Sequence, residues 1–238
     1  ENGVGIFGTF AEALEYRVYV VNGMDASGYS SKGLRGGRQK GSEASAEDLA
    51  FVARLDWQAC DELQVGGSYY IGKAGQDQRV DQPVSMTEFK LPDARTQIWE
   101  VHADWRHEGW HARGLFTQAT VSDARELSEI LSAPMVTSKP VAERMYGGYA
   151  ELAYEIMPLF APNSPYGLEA FFRYEYLDTQ ADIPSGFTRD RSQPRRLLIP
   201  GLQFRPHPEV VIKLDYRRID DWEGDSADEI SVGFGLVF

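Results

Sequence analysis

Apolar and polar residues alternate with a period of two along most of the chain. The clearest example is residues 229–238, where Ile230, Val232, Phe234 and Leu236 alternate with small or less apolar residues. Successive side chains of a β-strand point to opposite faces, so this segment is predicted to be a strand with one apolar side.

The same alternation predicts about eleven strands. They cover the segments 3–10, 14–21, 49–57, 63–71, 99–106, 110–117, 150–156, 168–176, 198–205, 210–217 and 229–238. Short turns are expected near 11–13, 59–62, 108–109, Asn163 and 205–209, and long polar connections over 22–48, 73–95, 122–144 and 178–195. The third long connection contains DARELSEIL, which fits a short helix.

This organisation favours a membrane barrel over a soluble sandwich. Strands of roughly nine to eleven residues suit a tilted membrane crossing, and alternating short and long connections are typical of outer-membrane barrels. Aromatic residues fall near strand ends, as an interfacial girdle requires: Trp57, Trp99, Trp105, Trp110, Tyr174, Tyr176, Tyr216 and Phe238. The sequence therefore predicts an all-β fold, a transmembrane antiparallel up-and-down β-barrel, as one domain over 1–238. A soluble all-β protein is the alternative.

The amino-acid composition and the absence of known motifs argue against several classes of function. The net charge of −12 argues against a nucleic-acid-binding protein, which needs a basic surface. Cys60 is the only cysteine of the sequence, so an internal disulfide framework is excluded. No nucleophile-elbow or P-loop motif is present, so neither an enzyme nor a cofactor site is predicted. His102, His107 and His111 surround one predicted hairpin, but without a completing ligand pattern they read as wall or rim residues rather than a metal site.

The chain ends suggest a part of a larger barrel. The sequence opens on Glu1-Asn2-Gly3 without a secretory leader, and it stops on Phe238 with no polar tail. An odd count of eleven strands conflicts with the even number of single-chain bacterial barrels. We therefore expect a processed or truncated form that lacks strands before Gly3.

The polar side of the predicted strands carries charges of both signs. Its cations are Arg17, Arg54, Arg106, Arg113, Arg173, Arg205, Lys213 and Arg217, and its acids are Glu15, Asp56, Glu100, Asp104, Glu151, Glu155, Glu169, Glu175 and Asp215. A midplane Arg or Lys facing lipid costs about 2–4 kcal/mol, so these side chains are expected to face water inside the barrel.

Two interpretations of these charges remain open. They brace the wall by cross-strand pairing, for example of Asp104 with Arg113. Alternatively Arg17, Arg54, Arg106, Arg113, Arg173, Lys213 and Arg217 line an anion path, with the basic residues Lys32, Arg35, Arg38 and Lys40 of the first long connection concentrating anions at its mouth.

Three segments carry a family resemblance: 16–28 (YRVYVVNGMDASG), 171–180 (FFRYEYLDTQ) and 201–217 (GLQFRPHPEVVIKLDYR), together with the final VGFGLVF. In these the chain resembles the phosphate-selective porin O and P family of Gram-negative bacteria. The final strand is also similar to the closing strand of outer-membrane barrels. The resemblance implies a sixteen-stranded, usually trimeric porin of the bacterial outer membrane with inward-folded loops.

We therefore expect a passive channel for small hydrophilic solutes, with small inorganic or organic anions modestly preferred. The alternative is a scaffold or binding barrel whose lumen holds a partner protein or plug.

Overall fold

The computed structural model describes residues 1–41, 44–81, 87–131 and 139–236, and its main element is one antiparallel sheet of eleven strands. In sheet order the strands are β1 (Gly3–Phe10), β2 (Leu14–Asn22), β3 (Leu49–Cys60), β4 (Leu63–Gly72), β7 (Thr96–His107), β8 (Trp110–Val121), β9 (Arg144–Glu155), β10 (Gly167–Asp182), β11 (Arg195–His207), β12 (Val210–Asp221) and β13 (Ser226–Leu236). The predicted all-β class and the antiparallel chain-order pairing are confirmed.

Smaller elements lie within the connections. A separate hairpin, β5 (Arg79–Asp81) and β6 (Glu88–Lys90), interrupts the connection between β4 and β7. Helix α1 (Ala124–Leu131) corresponds to the short helix predicted there, whereas α2 (Met157–Phe160) was not predicted. Among the residues that the structure describes, no helix is long and apolar enough to cross a membrane.

The sheet is not closed into a barrel. Strands β1 and β13 are its two edges, and each pairs with one neighbour only, β2 and β12 respectively. The aromatic terminus expected to close the barrel, Phe238, lies outside the described residues.

One face of the sheet is apolar across all eleven strands. Leu152 of β9, for example, lies between Ala112 of β8 and Phe172 of β10 in the ladder. Leu152 and Phe172 are each 49% exposed. Alternation puts Arg173 on the opposite face from Phe172, and the same separation holds for Leu214 and Lys213. The predicted division of apolar and charged residues between two faces is therefore confirmed.

The four connections predicted to be long lie at one end of the sheet and the predicted short turns lie at the other, although connection length does not separate the two ends completely. Antiparallel pairing puts successive connections at opposite ends, so 11–13, 61–62, 108–109, 156–166 and 208–209 share one end, here called the turn end. The long connections over 23–48, 73–95, 122–143 and 183–194 share the other end, here called the loop end, with the four-residue connection 222–225. Glu108 and Gly109 have φ values of 46° and 85°. Two positive φ values are characteristic of the two-residue hairpin turn that matches strand twist, which confirms the predicted turn.

Strand β10 is longer than predicted. The sequence placed a loop from Asp178, but β10 continues to Asp182, with a register irregularity against β9 between these residues. Asp178 is only 1% exposed, although a charged residue at this position suggested a loop. Its buried carboxylate forms an ion pair with Arg189. Similarly, β11 extends to His207, so the turn predicted over 205–209 shortens to 208–209.

The larger buried apolar cluster lies among the long connections at the loop end. Helix α1 contributes Leu127 and Ile130, which are 0% and 7% exposed. We call this cluster the loop core, and its buried members are Ala26, Tyr29, Ala74, Leu91, Ala94, Val121, Ala124, Leu127, Ile130, Val141, Ala142 and Met145.

The loop core packs on the polar face of the sheet. The backbone N–H of Met24 donates to the Tyr70 hydroxyl at 3.1 Å, and the Tyr29 and Thr96 hydroxyls are 2.9 Å apart. The Thr179 hydroxyl donates to the Ser31 carbonyl at 2.7 Å. Alternation puts Tyr70, Thr96 and Thr179 on the charged side of their strands. The first long connection therefore covers the loop end of the polar face.

Candidate functional site

The polar face carries a network of ion pairs centred on the buried Asp56. Arg54 binds Asp56 through both oxygens, with Nε and Nη2 each 2.7 Å away. His102 Nε2 lies 2.9 Å from Asp56 Oδ1, and its Nδ1 lies 3.1 Å from Glu100. Arg17 Nη1 lies 3.7 Å from Asp56. Four strands, β2, β3, β4 and β7, are adjacent here, so this network braces the wall from β2 to β7.

A second network surrounds Glu151 on β9, which is 6% exposed. Arg113 Nη2 lies 2.6 Å from one carboxylate oxygen of Glu151, and Arg173 Nη1 lies 3.7 Å from the other. Arg173 also lies 2.6 Å from Glu175 and stacks on the Tyr149 ring at 3.7 Å. A buried carboxylate with two guanidinium partners is costly to leave unpaired.

The predicted pairing of Asp104 with Arg113 is wrong at the side chains. The two residues are directly opposite in the β7–β8 ladder, as expected. Arg113 nevertheless reaches the other way to Glu151, its partner on β9, while Asp104 contacts His111 at 3.0 Å and Arg106 at 3.2 Å. Two acids flank Arg113 across its two ladders, and a sequence alone does not decide between them.

All six arginines assigned to the anion path have a carboxylate oxygen at 3.2 Å or less: Arg17, Arg54, Arg106, Arg113, Arg173 and Arg217. Lys213 instead lies over the Phe171 ring, 4.5 Å from its centroid. Paired charges of opposite sign largely cancel at a distance, so this arrangement favours the interpretation that the strand arginines brace the wall.

The basic residues of the first long connection are different. Lys32 and Arg35 line a loop-end cavity of about 640 Å³, together with Arg195, Ser30, Thr179 and Gln193. Lys32, Arg35 and Arg195 are exposed, and within the described parts of the chain none has a carboxylate within 4 Å. We call Lys32, Arg35 and Arg195 the mouth cluster.

The sequence identified part of this cluster. Lys32 and Arg35 were predicted, whereas Arg38 and Lys40 are exposed but do not line the cavity. Arg195 was missed because it starts β11, far along the chain, and only the sheet topology brings it near Lys32. The one sequence signal was the basic pair Arg195-Arg196 directly after Pro194.

A buried carboxylate fixes the connection that carries Lys32 and Arg35. Asp190 is 2% exposed and accepts from Ser31 Oγ at 2.9 Å, Lys139 Nζ at 2.8 Å and Ser192 Oγ at 2.7 Å. Burial alone would raise the pKa of Asp190, but the hydrogen bonds from Lys139, Ser192 and Ser31 outweigh it and hold that pKa well below its ordinary value. The bond to Asp190 also raises the pKa of Lys139.

A second polar cavity lies at the turn end and has a volume of about 510 Å³. Cations and acids both line it, including Arg106, Arg205, Glu155 and Glu169. Arg205 lies 2.9 Å from Glu155, so this cavity is internally neutralised as well.

The three histidines of the β7–β8 hairpin bind separate partners. His102 contacts Asp56 and Glu100, His111 contacts Asp104, and His107 Nδ1 lies 2.6 Å from Glu62 at the turn end. In the residues that can be described, no group of three or more His, Cys, Asp or Glu side chains is arranged to hold a metal ion.

Aromatic rings form rows on the apolar face. Near the loop end, Trp99, Phe116, Tyr146 and Tyr176 succeed one another across β7 to β10, with ring centroids 5.4, 6.2 and 5.8 Å apart. Near the turn end, Trp110 and Tyr154 are 4.6 Å apart. The apolar face therefore carries a row of aromatic rings near the loop end and an aromatic pair near the turn end.

Comparison with known proteins adds one relative. No family model matches the chain. A protein of Aquifex aeolicus (strain VF5), described as uncharacterized, is 34% identical over 227 residues. The match covers 92% of this chain and 49% of that protein, so the chain spans about half the length of the curated relative it matches.

Proposed function

We propose that the protein forms a passive, water-filled channel for small hydrophilic solutes in a bacterial outer membrane, with a modest preference for anions. The observation that carries the proposal is the two-faced sheet: a continuous exposed apolar face on one side, and ion-pair networks with packed loops on the other.

The size of the apolar face argues for lipid contact. Eleven strands about 4.8 Å apart, most of them ten to thirteen residues long, give a surface of roughly 1,900 Å². The largest apolar patch on a soluble monomer is typically about 300–600 Å². Large side chains such as Leu152, Phe172 and Leu214 are about half exposed on it, which suits contact with lipid chains.

Closure of the sheet is part of the proposal. Unpaired edge strands are unfavourable in lipid because their backbone groups find no partners there. We propose that β1 and β13 pair with further strands of the same polypeptide, giving the sixteen-stranded barrel that the porin resemblance implies. The relative's roughly double length is compatible with such additional strands.

The polar face then lines the lumen. Paired arginines and acids brace its wall, and the loop core narrows it at the loop end. The anion preference is assigned to the mouth cluster, because Lys32, Arg35 and Arg195 lie beside a cavity and form no ion pair with any described residue. Because the acids neutralise the strand arginines, the proposal does not include a dedicated phosphate site. The homotrimer remains a prediction.

Solute uptake by vesicles tests this function. Liposomes that contain the full-length protein should swell in isotonic solutions of small sugars, and the swelling rate should fall as the sugar grows. A scaffold barrel with a filled lumen gives no swelling at any sugar size, although the protein is inserted. That result would contradict the proposed channel and support the alternative, a scaffold barrel.

A further inference from the structure

The connection between β9 and β10 differs from the others at the turn end. Residues 156–166 (IMPLFAPNSPY) contain no charged side chain. The remaining four turn-end connections each contain an acid: Glu12, Asp61 with Glu62, Glu108 and Glu209. This connection is therefore the one suited to an apolar environment.

Its apolar side chains are exposed although its backbone is well held. Leu159 and Phe160 of α2 are 68% and 73% exposed. The Ala161 N–H donates to the Met157 carbonyl at 2.8 Å. Glu155 accepts from the Met157 and Leu168 backbone N–H groups at 3.2 and 2.7 Å. The structure thus holds two large apolar side chains away from the protein on a fixed support.

This exposed segment is continuous with the apolar face. The Tyr166 ring packs edge-on against Phe204, with centroids 6.0 Å apart. Phe204 pairs with Leu168 and Ile212 on the apolar face. The apolar surface therefore continues from the sheet past the turn end, where Trp110 and Tyr154 already form an aromatic pair on the same face.

We propose that Leu159 and Phe160 insert into the boundary between headgroups and acyl chains of the leaflet at the turn end, as an interfacial anchor. This inference rests on the proposed membrane location. An uncharged segment with exposed Leu and Phe at the end of the sheet that carries the Trp110–Tyr154 pair matches the chemistry of that boundary, where apolar side chains are buried to a shallow depth.

Fluorescence quenching by lipids tests the anchor in the full-length protein. On a Cys60→Ser background, Phe160→Cys is labelled with an environment-sensitive fluorophore and reconstituted into phosphatidylcholine vesicles. The lipids carry a nitroxide either near the headgroup or in the middle of the acyl chain. Glu209→Cys, on a neighbouring turn, and Leu202→Cys, on the apolar face, are the matched controls. Leu159→Cys serves as a second reporter if the Phe160 variant misfolds.

The label at residue 160 should be quenched at least twofold more by the shallow nitroxide than by the deep one. The label at residue 202 should respond to the deep nitroxide, and the label at residue 209 weakly to both. If residue 160 behaves like residue 209 while residue 202 is quenched, the anchor is wrong and the membrane location stands. Blue-shifted emission at residue 160 without quenching indicates a protein partner and also overturns the anchor. If residue 202 is not quenched by either lipid, the proposed function itself fails.

Discussion

Lys139 and Asp190 form an ion pair between two separate connections at the loop end, with Nζ 2.8 Å from Oδ1. Asp190 is 2% exposed, and it also accepts from Ser31, so one carboxylate ties three connections together. The backbone next to Lys32 is thereby held above β10, where Thr179 donates to the Ser31 carbonyl. This contact therefore helps to position Lys32 and Arg35 of the mouth cluster, whereas Arg195 is positioned by β11.

Replacing Asp190 with Asn should loosen the first long connection. Asp190 is buried and accepts hydrogen bonds from Ser31 and Ser192, and a hydrogen bond to a buried charged group contributes about 1.5–3 kcal/mol. Hydrogen exchange of residues 23–41 should accelerate. The control is Asp182→Asn, which removes the exposed pair with Arg144 at the same end. Equal acceleration in both variants would show that Asp190 does not hold this connection.

The same contact predicts how the loop end responds to acid. The pKa of Asp190 is lower in the folded protein than its ordinary value of 3.8. Its stabilising contribution is therefore fully present above about pH 4 and is lost as pH falls through the lowered pKa. We compare the protection of residues 23–41 from hydrogen exchange in the unmodified protein and in Asp190→Asn. The difference between the two proteins should be the same at pH 5 and at pH 7. A loss of that difference between these two values would contradict the assignment.

Because the charges on the polar face are paired, removing one member of a pair should change the reversal potential of the channel. Removing both members should leave it almost unchanged. Arg113→Gln leaves Glu151 with Arg173 as its remaining guanidinium partner and adds one uncompensated negative charge to the face. The reversal potential of the channel should move toward cations. In the double variant Arg113→Gln with Glu151→Gln it should return close to that of the unmodified protein. If Arg113→Gln alone changes nothing, Arg113 does not face the solute path.

The mouth cluster should influence selectivity more than other cations of the same connection. Lys32→Gln with Arg35→Gln should reduce the anion preference, whereas Arg38→Gln with Lys40→Gln removes equal charge outside the cavity. Screening acts over about 8 Å at physiological ionic strength, so the difference between the two double variants should be largest at low salt. If both double variants reduce the anion preference equally, the effect comes from the overall charge of the connection and not from the cavity.

The strands could be predicted from the sequence, whereas at the loop end only helix α1 and the basic residues Lys32 and Arg35 could be. Alternation in segments such as 229–236 reports that the two sides of a strand differ in polarity, and the Glu108-Gly109 turn has its own local geometry. By contrast, Asp190 and Arg195 acquire their surroundings from residues distant in the sequence. Asp178, where the sequence predicted a loop, lies inside β10 and pairs with Arg189 of the following connection. The side-chain partners could not be predicted either, because Arg113 lies between two acids and only the structure shows that it pairs with Glu151.

The central claim is that the polar face lines a water-filled path, and planar bilayer recording of the full-length protein under a potassium chloride gradient tests it most directly. We predict stepwise conductance with a reversal potential displaced toward that of chloride but well short of it, because most of the arginines are paired. Absence of conductance from protein whose insertion has been verified would contradict the claim.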